Sequence, residues 1–97
     1  MRTIKHSSAF KRDVKREKKG RYCEVFDTEL LAIINNLAND VPLDEKYQDH
    51  ELQRNLSGYR ECHVRVDFLL LYQKIDGELK ILRLERLGSH RQVLGIE

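Results

Sequence analysis

Three histidines, one aspartate and one arginine in the second half of the chain carry side chains suited to proton transfer. They are His50, His63, Asp67, Arg86 and His90. An unperturbed imidazole has a pKa of about 6.5, so it can take up or release a proton at neutral pH. A guanidinium is planar and pairs with two phosphate oxygens at once. Together these groups are typical of acid–base chemistry at a phosphoryl group.

RNA is the phosphodiester that such a set could cleave without help, because its 2′-hydroxyl is a built-in nucleophile. Cleavage requires a base at that hydroxyl, a cation at the phosphate and an acid at the leaving 5′-oxygen, and each positioned acid–base group contributes roughly 10²–10⁴-fold. We therefore expect no metal and no cofactor. A zinc site formed by the histidines and Cys62 is an alternative, but its spacings match no known ligand pattern.

The elements around these residues predict a β-meander that would bring them to one rim. Tyr59 to Val64 and Asp67 to Lys74 are predicted strands separated by a bend at Arg65-Val66. Asp76-Gly77 predicts a two-residue hairpin turn into a partner strand over 78–85, with an irregularity near the middle of that strand, at residues 81–82. Adjacent antiparallel strands end and begin at the same edge of a sheet. The five candidate residues are therefore expected to converge there.

The first half of the chain predicts one strand and two helices. Residues 2–6 alternate as a short strand, and serines 7 and 8 are N-cap candidates for a helix that runs to about residue 19 and ends at Gly20. Residues 23–38 form a second helix with one apolar face. The predicted fold is α+β: an antiparallel sheet of four to five strands with two N-terminal helices on one face, in the order β-α-α-β-β-β. We expect one domain over residues 1–97.

The net charge of +2 conceals a strong asymmetry along the chain. Residues 1–22 hold nine Lys and Arg against two acids, whereas residues 23–58 hold two bases against eight acids. A basic segment of this density favours binding to a phosphate backbone or to an acidic protein, although it is also what a solvated helix face looks like. The candidate RNA contacts are Lys11, Lys15, Arg60, Arg65 and Arg91.

Location and redox state follow from what the sequence lacks. No apolar window approaches the roughly 20 residues that span a bilayer. The N-terminus has no apolar signal-peptide core, so we expect a cytoplasmic protein. Cys23 and Cys62 are isolated from each other, which favours reduced thiols.

Four stretches of the second half carry a resemblance to a known family. Tyr47–Leu52 reads YQDHEL, Gly58–Val64 reads GYRECHV, Asp67–Tyr72 reads DFLLLY, and Arg86–His90 reads RLGSH. This pattern resembles the YafQ-type branch of the RelE/ParE toxin superfamily. The resemblance implies a RelE-like fold and a bacterial type II toxin that cuts mRNA on the translating ribosome. It also implies a cognate antitoxin as partner, with DNA contacted only indirectly through the toxin–antitoxin complex.

The resemblance also implies roles for the candidate residues. His50, His63, Asp67 and His90 would form the acid–base cluster, with His90 as general acid. His50 or Asp67 would be the base or its orienting partner, and Arg86 would hold the scissile phosphate. Two alternatives stay open, because the ParE branch keeps the fold but inhibits DNA gyrase, and because the acidic segment beside the basic one would suit a module that only binds a partner protein.

Overall fold

A five-stranded mixed sheet organises the structure, a computed structural model that describes residues 1–95. The strands lie in the order β1-β5-β4-β3-β2. Their bounds are β1 Thr3–His6, β2 His50–Glu51, β3 Arg60–Arg65, β4 Phe68–Asp76 and β5 Lys80–Gly88. The helices are α1 Ser8–Glu17, α2 Leu31–Ala38 and α3 His90–Leu94, with 3₁₀ turns at Cys23–Val25, Glu45–Tyr47 and Arg54–Leu56. The predicted α+β class and order of elements are confirmed.

The pairing of β1 corrects the prediction of a purely antiparallel sheet. β1 runs parallel to β5, with Thr3 opposite Ile81 and His6 opposite Leu84. Parallel neighbours need a long crossover, and the helical segments supply one between β1 and the meander. Sequence patterns identified the hairpin-connected strands but gave no sign of the partner of β1.

The core lies between the sheet and the helices, and β4 runs through it. Residues 68–72 of β4 are each at most 3% exposed. A bulge in β5 sets Leu84 opposite Tyr72 and Arg86 opposite Leu71, so that one extra residue, Glu85, lies between them. The bulge shifts the alternation of β5 by one position, which explains why Leu84 and Leu87 both face the core. The irregularity predicted at residues 81–82 therefore lies three to four positions later.

The first helix begins where its serine cap predicts. The Ser7 side chain accepts a hydrogen bond from the Phe10 amide at 2.9 Å and caps α1. The helix predicted over 23–38 is composed of a 3₁₀ turn, a π-helical turn at Phe26–Leu30 and then α2. Its apolar stripe is buried as predicted. No helix within residues 1–95 has the length and apolar character to span a membrane.

The β4–β5 connection is longer than the two-residue turn that the sequence predicted. Asp76 pairs with Lys80, so three residues, 77–79, form the loop. A two-residue turn of the Asp-Gly type requires a left-handed backbone at both central residues. Gly77 is not among the residues with positive φ, which accounts for the difference.

Candidate active site

Cross-strand pairing places the candidate residues on one face of the sheet. His50 of β2 lies opposite Glu61 of β3, and His63, two residues further, lies opposite Leu69 of β4. Glu61 also lies opposite Leu71 of β4, and Leu71 lies opposite Arg86 of β5. Paired residues point to the same side of a sheet and successive residues to opposite sides. The alternating neighbours of this set, including Cys62 and Leu70, belong to the core beneath the helices.

The three histidines form a row on this face. The ring centroids of His50 and His63 are 6.1 Å apart, and those of His63 and His90 are 5.3 Å apart in an edge-on arrangement. His63 is the most enclosed, with 17% of its side chain exposed, against 47% for His50 and 39% for His90. Three imidazoles from β2, β3 and the start of α3 are thus within reach of one nucleotide.

Asp67 holds His90 at one end of the row. Its Oδ1 accepts a hydrogen bond from the His90 backbone amide at 2.9 Å and lies 2.8 Å from His90 Nδ1. The backbone and ring hydrogen bonds from His90 lower the pKa of the Asp67 carboxyl. An ionised carboxylate can only accept, so Nδ1 carries a proton and Nε2 is left to face a substrate. Ser89 fixes the position of His90 as well, because it caps α3 in a reciprocal capping box with Gln92.

Glu61 is a member of the cluster that the sequence predictions missed. It is only 4% exposed, and its Oε1 lies 3.1 Å from His50 Nε2 and 3.4 Å from His63 Nε2. The signal was present in the sequence, since Glu61 and His63 are two positions apart in a strand and must share a face. Asp67 contacts His90 rather than His50, so in this structure the acid nearest the other two histidines is Glu61.

Arg86 lies on the same face by register, but its guanidinium is paired with Asp13 of α1. Arg86 Nε donates to Asp13 Oδ2 at 2.7 Å and Nη2 donates to Oδ1 at 3.3 Å. Asp13 is 2% exposed and also accepts from Arg16 Nη1 at 2.8 Å and from the Leu87 amide at 2.9 Å. Burial opposes ionisation of Asp13, but the hydrogen bonds from Arg86, Leu87 and Arg16 outweigh it and lower its pKa.

The edge of β5 explains why Asp13 is buried. β1 ends opposite Leu84, so the outer edge of β5 beyond that point lacks a strand partner. Asp13 and Arg16 take the place of the missing strand. Asp13 Oδ2 accepts a hydrogen bond from the Leu87 N–H, and Arg16 Nη2 donates one to the Leu87 carbonyl, each at 2.9 Å. Asp13 was recognisable in the sequence as an acid within a basic helix, three positions after the buried Phe10 and hence on the inner face of α1.

Comparison with known proteins identifies the chain's relatives. Residues 2–95 match the family described as the bacterial toxin of type II toxin–antitoxin system, YafQ. The chain belongs to the YafQ family. It is 37% identical over 95 residues to the mRNA interferase toxin YafQ of Escherichia coli strain B / BL21-DE3, and the match covers 97% of each protein. The predicted family is therefore confirmed.

Solved structures agree with this assignment. The crystal structure of YafQ from E. coli strain BL21(DE3) superposes with a TM-score of 0.82 at 35% identity, covering 98% of this chain and 100% of that one. YafQ in the E. coli DinJ–YafQ toxin–antitoxin complex superposes with a TM-score of 0.80 at 36% identity, covering 97% and 98%. The sheet and helices described above are thus those of YafQ proteins.

Two of the predicted RNA contacts of this YafQ-family chain lie on β3 and form ion pairs, and the other three lie on helices. Arg60 Nε lies 3.3 Å from both Asp49 Oδ1 and the Tyr72 hydroxyl. Arg65 forms a two-pronged ion pair with Glu29, whose pKa the Arg65 hydrogen bonds lower. Both guanidiniums therefore have carboxylate partners within the fold. The remaining candidates are exposed on helices: Lys11 and Lys15 on α1, and Arg91 on α3.

The zinc alternative finds no support in the geometry. Within residues 1–95, no three His, Cys, Asp or Glu side chains are placed to hold a metal ion. Cys62 is fully buried on the core side of β3, where burial raises the pKa of its thiol to about 12. A thiol in that environment stays protonated and is a poor metal ligand.

Proposed function

We propose that this chain is an mRNA interferase, an endoribonuclease that acts as the toxin of a type II toxin–antitoxin system. Its substrate is mRNA on the ribosome, and a cognate antitoxin holds it inactive. Membership of the YafQ family and the name of its E. coli relative support the assignment. The observation that carries the chemistry is the row of three imidazoles, with Asp67 hydrogen-bonded to one end.

The reaction divides the cluster into a base and an acid. An imidazole at the His50–His63 end takes the proton of the 2′-hydroxyl, and the oxygen attacks phosphorus. The bond between phosphorus and the 5′-oxygen breaks, and His90 Nε2 donates a proton to that oxygen. Asp67 stabilises the imidazolium form of His90 that this step requires. The products are a 2′,3′-cyclic phosphate and a 5′-hydroxyl, with no net consumption of protons.

Arg86 is the cation proposed to stabilise the scissile phosphate. Its hydrogen bonds within residues 1–95 use Nε and Nη2, so Asp13 fixes the plane of the guanidinium and leaves Nη1 for a ligand. Lys11, Lys15 and Arg91 are proposed to contact RNA outside the histidine row, and Arg60 and Arg65 to do so while ion-paired. DNA would be contacted only through the complex with the antitoxin. Ribosome-bound mRNA as substrate places the activity in the cytoplasm.

Cleavage of a defined mRNA by purified protein, with and without ribosomes, tests the proposal. We expect cuts only with ribosomes, insensitive to a chelator that removes transition metals but spares the Mg²⁺ of the ribosome, and a loss of about 10²–10⁴-fold in His90→Ala. His6→Ala is the matched control, because His6 is the fourth histidine and lies exposed on β1. A wild-type protein that leaves mRNA intact but blocks DNA supercoiling by gyrase would refute the endoribonuclease and favour a gyrase inhibitor.

A further inference from the structure

Glu61 is a buried carboxylate that the reaction described above does not use. It is the second residue of β3, with Leu71 of β4 opposite it on one side and His50 of β2 on the other. Only Oε1 contacts a titratable group, and Oε2 is buried without a hydrogen-bond partner among the described residues. A buried carboxylate with one unsatisfied oxygen destabilises a fold, so its place in the sheet needs a reason other than packing.

The protons of His50 can be assigned from its surroundings. His50 Nδ1 lies 2.6 Å from the Gln48 carbonyl oxygen. A carbonyl can only accept, so Nδ1 must carry a proton. A neutral His50 would then direct the lone pair of Nε2 at Glu61 Oε1, which is only 3.1 Å away. The contact is attractive only when a proton lies between Nε2 of His50 and Oε1 of Glu61.

His63 faces the same oxygen with one nitrogen only. Its Nε2 lies within ion-pair distance of Glu61 Oε1, at 3.4 Å, and no side-chain hydrogen bond of His63 is found within residues 1–95. An Nε2–H is attracted to the carboxylate, whereas an unprotonated Nε2 is repelled by it. The neutral ring of His63 is therefore held with its proton on Nε2 and its lone pair on Nδ1.

We propose that Glu61 is a positioning residue for RNA cleavage, whose carboxylate beside Nε2 of His63 favours a proton on that nitrogen and so presents Nδ1 of the ring as the acceptor of the 2′-hydroxyl proton. The proposal rests on the endoribonuclease activity proposed above. When Nδ1 takes the proton, the ring becomes an imidazolium whose positive charge lies beside the Glu61 carboxylate. That charge exists only after proton transfer, so the contact favours the transition state over the bound substrate.

Other charged groups on this face do not replace Glu61. His50 is on the opposite side of the carboxylate and contacts the same oxygen. Asp67, from the turn before β4, contacts His90 at the start of α3. Arg86 of β5 is two strands away and is paired with Asp13. Glu61 is the carboxylate within salt-bridge distance of His63 in the described chain.

Nitrogen-15 NMR of the imidazole rings in the full-length wild-type protein tests the tautomer directly and needs no ribosome. At a pH of about 8, where an ordinary imidazole is neutral, we expect His63 to carry its proton on Nε2 and His90 to carry it on Nδ1. A His63 ring protonated on Nδ1 would overturn the proposal whether or not the protein cleaves mRNA.

Single-turnover cleavage on ribosomes tests the role of Glu61 in the reaction. We expect Glu61→Leu to lower the rate by about 10²-fold or more, Glu61→Gln to lower it by at least about 10-fold, and Glu61→Asp to restore much of it. The ribosome concentration for half-maximal rate should stay unchanged, because the residue acts on proton transfer. Glu51→Gln, a change at an exposed β2 carboxylate, is the matched control. Folded Gln and Leu variants that cut at the wild-type rate would overturn the proposal, whereas an inactive wild type would instead refute the function on which it rests.

Discussion

Replacing Asp13 by Asn should destabilise the fold strongly although Asp13 is far in sequence from the histidine row. Asn has nearly the same shape, but it removes the charge and directs an amide N–H₂ at groups that are all donors. Those donors are Arg86, Arg16 and the Leu87 amide, at distances of 2.7–3.3 Å. The substitution therefore leaves at least one buried donor without an acceptor.

The magnitude follows from how much of each partner is buried. The Leu87 amide belongs to a fully buried residue, and leaving such a group unsatisfied costs about 1–3 kcal/mol. A hydrogen bond to a charged group contributes about 1.5–3 kcal/mol, but the 31% exposure of the Arg86 side chain allows water to replace part of it. We expect a loss of about 2–4 kcal/mol. In a domain of this size each kcal/mol lowers Tm by roughly 4–8 °C.

Urea unfolding of wild type and Asp13→Asn from neutral to acidic pH is the assay. The folded pKa of Asp13 lies below its ordinary value of 3.8, so its stabilising contribution is complete above that pH and is lost as the pH falls through the folded pKa. The difference between the two proteins should therefore be constant near neutrality and shrink below a pH of about 4. Asp27→Asn, at an exposed acid of the π-helical turn, is the control and should change little.

Two results would contradict this reasoning. A difference below about 0.5 kcal/mol at neutral pH would mean that water compensates the buried donors. A difference that persists undiminished at pH 2–3 would mean that the charge of Asp13 is not its source. Single-turnover cleavage by the folded variant should also slow, because Arg86 loses the partner that fixes its guanidinium.

Two further substitutions and a thiol titration probe the site and its support. Asp67→Asn should slow single-turnover cleavage at least about 10-fold, because His90 loses its carboxylate partner, and a wild-type rate would argue against His90 as the acid. Gly88→Ala should lower the free energy of unfolding in urea by about 1–3 kcal/mol, because φ at Gly88 is 154° and the added Cβ would lie 2.6 Å from Gln92 Oε1. An unchanged unfolding midpoint would show that the end of β5 adapts to the added methyl group. Thiol titration of the native protein should modify the exposed Cys23 rapidly and Cys62 only on unfolding, and equal rates would contradict the burial.

Local patterns were sufficient to predict most of the elements. The alternation through β3, the apolar run of β4 and the 3.6-residue period of the second helix each depend on neighbouring positions. So do the serine cap of α1 and the bend before Asp67, and the bend brings His63 and Asp67 to one end of the sheet. These features required only local periodicity and turn chemistry.

Features that depend on distant parts of the chain were not predictable in the same way. The parallel pairing of β1 with β5 joins residues nearly 80 positions apart, and the Asp13–Arg86 ion pair joins residues 73 positions apart. No local period encodes either contact. The bulge at Glu85 was predicted as an irregularity of β5, but its position, three to four residues further on, was not.

The two carboxylates of the cluster contact different nitrogens of their histidines. This difference suits histidine to the two roles proposed for it, general acid and general base. Asp67 Oδ1 is next to Nδ1 of His90, whereas Glu61 Oε1 is next to Nε2 of His63. Each carboxylate holds a proton on the nitrogen that it contacts and leaves the other nitrogen for the substrate. In the proposed reaction His90 faces the substrate through Nε2 and His63 through Nδ1, so the proposed acid and base differ by the orientation of the ring. Exchanging the two roles would require both rings to turn, which the Asp67 and Glu61 contacts oppose.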